Sequence, residues 1–345
     1  MAASLTSSNI LLLVLSFLLA GKIRVVKADA ATWNYNRSDL GGPDKWSLTY
    51  SDCGGVFQSP IDINTSTVLY DPLLQRFNVT DYTSKLDGLD MRLVNKGGHT
   101  AEVIYSGNER VYLRGGNLPD DYRLEQFHFH WGSLDRQGSE HAIDSQFAPM
   151  ELHLVHVQKR LEKSNTSSSH PHGLAVLGFL FQRSDNNNTK LDELLKYFPN
   201  ITSANNETEI EPFKVSDLLP DDLENLDFYR YEGSLTTPPC SETVIWSVAV
   251  DKINISEYQL NIFRSLHNEE DELLVNDYRP VQNLNSRTVT TTRKPSTITD
   301  TSTSTKVSVD ATTTPKNSGV RVPAGHLVML VFTVLALRLM SWSRF

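Results

Sequence analysis

Histidines at alternating positions give this sequence its first candidate for chemistry. If residues 126–131 form a strand, His128 and His130 face one side of it, while Phe127 and Phe129 face the other. Two imidazoles on one face suit a metal ion, although two buried histidines bonded to backbone groups give the same pattern. The pair therefore indicates two candidate ligands, and a metal site needs at least a third.

A second segment, residues 151–156, supplies further histidines. On a strand Glu151 and His153 share a face while His156 points the other way, so only one of these histidines can join the first pair. The spacing alone does not choose between them. Three neutral imidazoles leave zinc a fourth position for water, as a catalytic site requires. Zinc held in this way lowers the pKa of water to near 7 and supplies hydroxide at physiological pH.

Two polar loops also carry side chains capable of chemistry. Residues 234–239 place the hydroxyls of Thr236 and Thr237 beside two prolines, which fix the backbone. Residues 139–141 read Ser-Glu-His and include Glu140. Taken alone, each segment is typical of an ordinary polar loop.

The elements that must position these residues are mainly strands. Short alternating or β-branched segments, bounded by Gly, Pro, Asn and Asp, recur at residues 101–105, 111–113, 124–130, 151–158, 174–182 and 243–250. Helical periodicity is confined to residues 191–198, which end at Pro199, and residues 256–267, which Ser256 is suited to cap. Strands without regular helical crossovers predict one α+β domain with a largely antiparallel or mixed sheet.

The beginning of the chain predicts export. Residues 10–20 form an apolar run of signal-peptide length, and Ala28-Asp29-Ala30 offers small residues for cleavage, so residues 1–30 are expected to be removed. Residues 31–285 are then expected to form one folded domain. Residues 286–318 follow it and are dominated by Thr and Ser, which predicts a solvated stalk.

The other end predicts membrane attachment. Small residues at 317–319 precede a short spacer and an apolar block at 327–337, the order found in signals for a glycosylphosphatidylinositol (GPI) anchor. Residues 319–345 are then a propeptide that anchor attachment removes. The alternative is a single C-terminal transmembrane helix, but an 11-residue block falls well short of the ~20 residues needed to cross a bilayer.

Composition narrows the class of protein further. A formal net charge of −9 and the absence of any run of Lys or Arg argue against nucleic acid or an anionic membrane surface as a partner. Cys53 and Cys240 are the only cysteines and permit one intramolecular disulfide in an oxidising compartment. Glycosylation sequons suit the same compartment, and the chain has eight: Asn36, Asn64, Asn78, Asn165, Asn187, Asn200, Asn206 and Asn254.

Taken together, the motifs resemble a known family. The strings QFHFHWG, GSEH, ELHLVH, GLAVLGF, GSLTTPP and YRP, in this order and at these spacings, look like an alpha carbonic anhydrase across residues 33–280. The resemblance implies a single α+β domain around a large, mostly antiparallel twisted β-sheet with peripheral helices. It also implies reversible hydration of carbon dioxide by a Zn²⁺ ion at the bottom of a cone-shaped cleft.

The same resemblance assigns roles to individual residues. It makes His128, His130 and His153 the zinc ligands and His156 a buried structural neighbour. Outside the ligands, it makes Gln126 and Glu151 acceptors that orient His128 and His153, while His130 donates to a backbone carbonyl. Thr236 would orient the attacking hydroxide and donate its own proton to Glu140. The implied substrate pocket consists of Val155, Val176, Leu235, Thr237, Val244 and Trp246.

Two further features follow from the resemblance. His99 would relay protons to solvent, although its turn, residues 95–99, has one residue more than the family's common Asn-Gly-His pattern. Cys53 and Cys240 correspond to the disulfide of secreted members. We therefore expect an extracellular, GPI-anchored enzyme of carbon dioxide and bicarbonate, with bicarbonate or proton transporters as candidate neighbours. The rival functions are a cell-surface binding module without turnover and a zinc hydrolase acting on esters.

Overall fold

A computed structural model of the chain describes residues 33–84, 88–108, 110–164 and 166–294. The expected signal peptide, most of the stalk, the anchor propeptide and the sequon at Asn165 lie outside these residues. Within the described ranges, none of the helices has the length and apolar character needed to cross a membrane.

Strands make up most of the regular structure. In chain order they are β1 Asp62–Ile63, β2 Leu69–Tyr70, β3 Phe77–Asn78, β4 Leu89–Lys96, β5 Thr100–Gly107, β6 Tyr112–Gly115, β7 Tyr122–Trp131, β8 Ala142–Ile143, β9 Met150–Gln158, β10 Leu174–Ser184, β11 Glu207–Ile210, β12 Phe228–Gly233, β13 Val244–Ala249, β14 Ile253–Ser256 and β15 Thr290–Thr291. The six predicted strand segments overlap β5, β6, β7, β9, β10 and β13.

The large sheet is mixed, as the sequence predicted. Its main path runs β11-β4-β5-β7-β9-β10-β13-β12-β15-β2. The central neighbours from β11 to β10 are antiparallel, whereas β10 pairs in parallel with both β13 and β14. Strand β9 lies between β7 and β10 and is buried at every position, so the second histidine segment occupies the middle of the sheet.

The two faces of the central strands have different characters. One face carries Phe127, Phe129, Leu152 and Leu154, which belong to the largest apolar cluster and are fully buried. The other face carries His128, His130 and His153, since side chains alternate along each strand. Burial of the aromatic and aliphatic face stabilises the sheet and leaves the histidine face to build a site.

Helices are short and surround the sheet. The α-helices are α1 Trp46–Thr49, α2 Asp192–Leu195 and α3 Glu257–Arg264. The 3₁₀ helices are Pro43–Lys45, Ser51–Gly54, Thr80–Thr83, Lys159–Leu161, Ser167–Ser169, Thr189–Leu191, Phe198–Ile201, Val215–Leu218 and Leu223–Asn225. The cap predicted for α3 is present, because Ser256 Oγ accepts a hydrogen bond from the backbone N–H of Gln259 at 3.1 Å.

The helix predicted over residues 191–198 is only partly formed. Residues 192–195 make one α-helical turn, with a 3₁₀ turn on each side of it in the sequence. Pro199 lies in the second 3₁₀ turn and has no N–H to continue an α-helical ladder. Leu194 and Phe198 are nevertheless buried. The periodic pattern therefore predicted which side chains pack in the core, but not the length of the helix.

The folded part extends beyond residue 285, where the sequence analysis ended the domain. Thr290 and Thr291 in β15 pair with Arg230 and Tyr229 of β12. The hydroxyl of Thr291 also donates to the carbonyl of Phe228 at 2.9 Å. Composition suggested a stalk from residue 286, but β-branched threonines also suit a β-strand. The start of the predicted stalk is therefore part of the fold.

The expected disulfide is present between Cys53 and Cys240. It closes a separation of 187 residues and packs with Trp46, while Trp33 and Tyr35 pack against the same cluster. Cys240 directly follows the segment of residues 234–239, so the bridge ties the Thr236 loop to the N-terminal part of the fold.

Candidate metal centre

Cross-strand register brings the three histidines together. His128 of β7 lies directly opposite His153 of β9, and His130 lies opposite Glu151. The ring centroids are 5.0 Å apart for His128 and His130, 5.2 Å for His128 and His153, and 4.7 Å for His130 and His153. One nitrogen from each ring lies within 4.8 Å of those of the other two, so one ion can contact all three.

The outward nitrogen of each ring has its own acceptor. His128 Nδ1 lies 2.8 Å from Gln126 Oε1, and His153 Nε2 lies 2.8 Å from Glu151 Oε1. His130 Nδ1 lies 2.6 Å from the backbone carbonyl oxygen of Asp277. Each acceptor requires an N–H on the outward nitrogen, so the inward nitrogens carry lone pairs.

Those inward nitrogens, His128 Nε2, His130 Nε2 and His153 Nδ1, fit zinc. His130 Nε2 is buried and has no hydrogen-bond partner among the described residues, as expected of an atom that awaits a ligand. Burial lowers the pKa of His130 to about 4 and lowers the pKa values of His128 and His153, which keeps the rings neutral. Three neutral nitrogen donors are the ligand set of a catalytic zinc site.

His156 occupies the opposite face of β9. It is fully buried, with Nε2 bonded to the hydroxyl of Tyr82 and Nδ1 lying 3.1 Å from the carbonyl oxygen of Ala175. Both nitrogens are therefore occupied. The ambiguity between His153 and His156 is thus resolved by register, because only His153 shares a face with the other two histidines.

A buried carboxylate organises the polar groups behind the ligands. Glu151 Oε1 lies 2.6 Å from His141 Nδ1, and Oε2 accepts hydrogen bonds from the backbone N–H groups of Glu140 and His141 at 2.9 and 2.8 Å. His141 Nε2 is also 2.7 Å from the hydroxyl of Tyr231. Because both His141 nitrogens are engaged, the group of His141, Glu151 and His153 is a hydrogen-bond network rather than a second metal site.

Glu140 lies beside the three histidines, with Thr236 near it. Glu140 Oε1 accepts a hydrogen bond from the backbone N–H of Arg279 at 2.8 Å, while Oε2 lies 3.4 Å from His130 Nε2. Burial raises the pKa of Glu140 to about 7, and the hydroxyl of Thr236 acts in the opposite direction as a nearby donor. Oε2 has no hydrogen bond of ordinary geometry in the described part of the chain, so it can still accept one from a nearby donor.

Apolar side chains line the histidine face. Val155, Val176 and Trp246 form a continuous row because they are paired across β9, β10 and β13. All five apolar residues expected near the substrate lie in one cluster, namely Val155, Val176, Val244, Trp246 and the partly buried Leu235. The Trp246 ring centroid lies 4.8 Å from that of His153, so this cluster reaches the three histidines. Thr237 is half-buried in the adjoining loop.

His99 lies on the turn between β4 and β5. Its ring stacks on Trp33 with centroids 4.0 Å apart, and it borders a cavity of about 810 Å³. Burial lowers the pKa of His99, whereas the carboxylates of Glu269 and Glu270 raise it. The extra residue is accommodated by two glycines, Gly97 and Gly98, with φ angles of +59° and +67°.

Comparisons with known proteins agree with this geometry. The sequence pattern of the eukaryotic-type carbonic anhydrase family matches residues 41–293. The chain is 35% identical to carbonic anhydrase 6 of Bos taurus over 261 residues, which covers 74% of this chain and 79% of the relative. This chain belongs to the eukaryotic-type carbonic anhydrase family.

Two other members of the family are also similar over most of the chain. Identity to "Putative carbonic anhydrase 5" of Caenorhabditis elegans is 39% over 286 residues, covering 81% of this chain and 88% of the relative. Identity to carbonic anhydrase 3 of Homo sapiens is 34% over 265 residues, covering 75% of this chain and 98% of the relative.

Sequence reasoning missed several residues of this carbonic anhydrase site. Asp277 and Arg279 bind His130 and Glu140 through backbone atoms, and His141 orients Glu151. The strings YRP and GSEH contain Arg279 and His141, so the motifs signalled the segments without their roles. Burial raises the pKa of Tyr35, and the carboxylates of Glu140 and Asp277 act in the same direction.

The described sequons are all at the surface. Their asparagines are exposed: Asn36, Asn64, Asn78, Asn187, Asn200, Asn206 and Asn254. Exposure is the condition that a folded domain must meet to carry glycans there.

Separate substitutions of His153 and His156, both on β9, distinguish metal binding from core packing. We expect His153→Ala in the full-length protein to remove stoichiometric zinc, because only two imidazoles remain in the site. His156→Ala on the same strand should retain zinc while lowering the free energy of unfolding by about 2 kcal/mol or more, because Tyr82 loses its buried partner. Zinc analysis and denaturant unfolding measure the two effects. Equal zinc loss in both variants would contradict the ligand assignment.

Acid should destabilise the zinc-free protein partly through His156. Burial lowers its pKa to about 4, below the ordinary value of 6.5, so the unfolded state binds the proton first as the pH falls. This contribution to stability is complete above pH 6.5 and is lost between pH 6.5 and 4, at up to about 1.4 kcal/mol per pH unit. His156→Gln should make the decline shallower in urea unfolding. Parallel pH curves would refute this.

Proposed function

We propose that this protein catalyses the zinc-dependent, reversible hydration of carbon dioxide to bicarbonate and a proton. The observation that carries the proposal is the convergence of three inward lone pairs on neutral, individually oriented imidazoles beside an apolar cluster. Membership of the carbonic anhydrase family and the names of its relatives support the same reaction.

His128, His130 and His153 would hold the ion. Zinc bound there supplies a Lewis acid and, by lowering the pKa of water, a hydroxide nucleophile at neutral pH. Gln126, Glu151 and the carbonyl of Asp277 keep each ring in the tautomer that ligation requires.

Thr236 and Glu140 would orient the attacking oxygen. When Thr236 donates its proton to Glu140, its own oxygen is left as an acceptor and can fix the direction of the nucleophile's remaining proton. Glu140 must be ionised for this arrangement, and positive charge in the site favours that form. The backbone N–H of Arg279 holds the carboxylate in place.

The pocket for carbon dioxide would be apolar. The substrate has no charge and no hydrogen-bond donor, so Val155, Val176, Leu235, Val244 and Trp246 offer it a suitable surface next to the ligands. The half-buried Thr237, two residues after Leu235, would add a hydroxyl to this pocket.

His99 would pass the released proton to solvent. An imidazole can both accept and release a proton near neutral pH. His99 lies on a turn at the edge of a wide cavity, which suits a group that must exchange with bulk water.

We further propose that the mature enzyme acts outside the cell. The apolar N-terminal segment, the sequons and the disulfide support export, and the order of segments after residue 294 supports a GPI anchor. Bicarbonate or proton transporters are the neighbours that would use such an enzyme.

Removal of the Thr236 hydroxyl tests the chemistry. In the full-length protein, we expect Thr236→Ala to lower kcat/KM for carbon dioxide hydration by about 10- to 100-fold, because the nucleophile loses its orientation. Stopped-flow assay with a pH indicator measures the rate, and zinc content should be unchanged. Thr83→Ala, at an exposed position, is the matched control. A zinc-loaded wild-type protein without activity would favour the binding-module function instead.

Phospholipase treatment tests the attachment. Phosphatidylinositol-specific phospholipase C should release the protein from intact cells that express it, since the enzyme cleaves a GPI anchor and leaves peptide bonds intact. Release is followed by immunoblot of the medium, with a transmembrane protein as control. Retention on the cells would contradict the anchor and favour the transmembrane alternative.

A further inference from the structure

One charged side chain, that of Glu102, lies in line with the histidine ligands and has no role in the chemistry proposed above. Glu102 of β5 lies directly opposite His128 of β7, and His128 lies opposite His153 of β9. Directly opposed residues project from the same face of a sheet, with Cβ atoms about 4.5 to 5.5 Å apart. Glu102 is only 4% exposed. A buried carboxylate therefore stands next to His128 on the face that holds the metal ligands.

Glu102 has a cationic partner on the neighbouring strand. Lys96 Nζ lies 2.6 Å from Glu102 Oε1. Val94 lies opposite Glu102, and Lys96 follows two residues later on β4, so both side chains project toward the same face. The Lys96 side chain is 59% exposed, so the pair adds little to stability. The pair instead fixes the position of Lys96 relative to the row formed by Glu102, His128 and His153.

Lys96 begins the turn that carries His99. The backbone N–H of His99 donates to the carbonyl oxygen of Lys96 at 2.9 Å, and Lys96 pairs with Thr100 across the turn. The intervening Gly97 and Gly98 have no side chains with which to brace it. The Lys96–Glu102 ion pair is therefore a side-chain link from this turn to the strand that borders His128.

Close packing limits where this turn can move. A Cβ atom on Gly98 would lie 2.7 Å from the Cα atom of Asn268, so this side of the turn abuts backbone. On the other side the His99 ring lies over Trp33. A small rotation of the turn about its contact with Asn268 would therefore change the position of the imidazole more than that of the backbone.

We propose that Glu102 is a positioning residue for proton export, acting through Lys96 on the turn that carries His99. Glu102 holds Lys96, and Lys96 holds the turn, so that His99 keeps one distance and orientation relative to the metal ligands. The role rests on the proposed carbon dioxide hydration, because only that reaction gives the turn a proton to export. It also explains why a carboxylate is buried beside a zinc ligand to which it does not bind.

Steady-state kinetics of full-length variants test the role. In weak buffer, Glu102→Gln should lower kcat about three- to tenfold, because proton export limits turnover, and should change kcat/KM by less than about twofold. Imidazole buffer should restore kcat, since it carries protons without His99. Lys96→Gln should have the same effect. The double variant should be no worse than either single variant, because both act through one contact.

A similar ion pair outside the ligand row provides the control. Arg92 on β4 contacts Glu207 on β11 at 2.6 Å. Glu207→Gln makes the same chemical change on the other side of β4 and should leave kcat in weak buffer unaltered. The position of His99 is read independently by NMR of ¹³C-labelled histidine, since its signal senses the ring of Trp33. Glu102→Gln and Lys96→Gln should shift that signal, and Glu207→Gln should not.

The outcomes separate this role from the proposed function. Unchanged kcat with an unchanged His99 signal would overturn the positioning role. A parallel loss of kcat, kcat/KM and zinc would also overturn it, because Glu102 would then support the ligands themselves. A wild-type protein that does not hydrate carbon dioxide would contradict the proposed function. In that case a shifted His99 signal in both variants would still support the link from Glu102 to the turn.

Discussion

The site depends on the register between β7 and β9. Side chains alternate along a strand, so a slip of one residue between these strands would turn either His128 and His130 or His153 to the wrong face. Apolar packing on the opposite face makes that slip costly, because either Phe127 and Phe129 or Leu152 and Leu154 would then point toward the cleft. The core thus fixes the ligand geometry without touching the metal position.

Most of the buried polar atoms around the three histidines form hydrogen bonds. The carboxylate of Glu151 takes part in four hydrogen bonds, with two backbone N–H groups and the rings of His141 and His153. Gly178, opposite His153, leaves space for it, since a Cβ there would lie 3.2 Å from Glu151 Oε1. Two buried atoms without hydrogen bonds in the described part of the chain, His130 Nε2 and Glu140 Oε2, lie 3.4 Å apart in the site. These two atoms lie where a ligand has to bind, as is common at functional sites.

Local sequence patterns predicted much of this arrangement. Alternation alone placed His128 and His130 on one face, and the serine at position 256 marked a helix start. Periodicity did not choose between His153 and His156, because that choice depends on pairing with another strand. Composition misplaced the domain end, because threonines suit both a solvated stalk and a strand such as β15. The sequence did not predict the positions of Asp277 and Glu102, because contacts between segments distant in the chain, not a local motif, bring them to the histidines.

The most direct test of the central claim is a crystal structure of the purified protein with anomalous diffraction recorded at the zinc edge. We expect one strong anomalous peak, about 2.0 to 2.1 Å from His128 Nε2, His130 Nε2 and His153 Nδ1, with a fourth position open to solvent. A peak bound instead by His141 or Glu151, or four protein ligands around the ion, would contradict it.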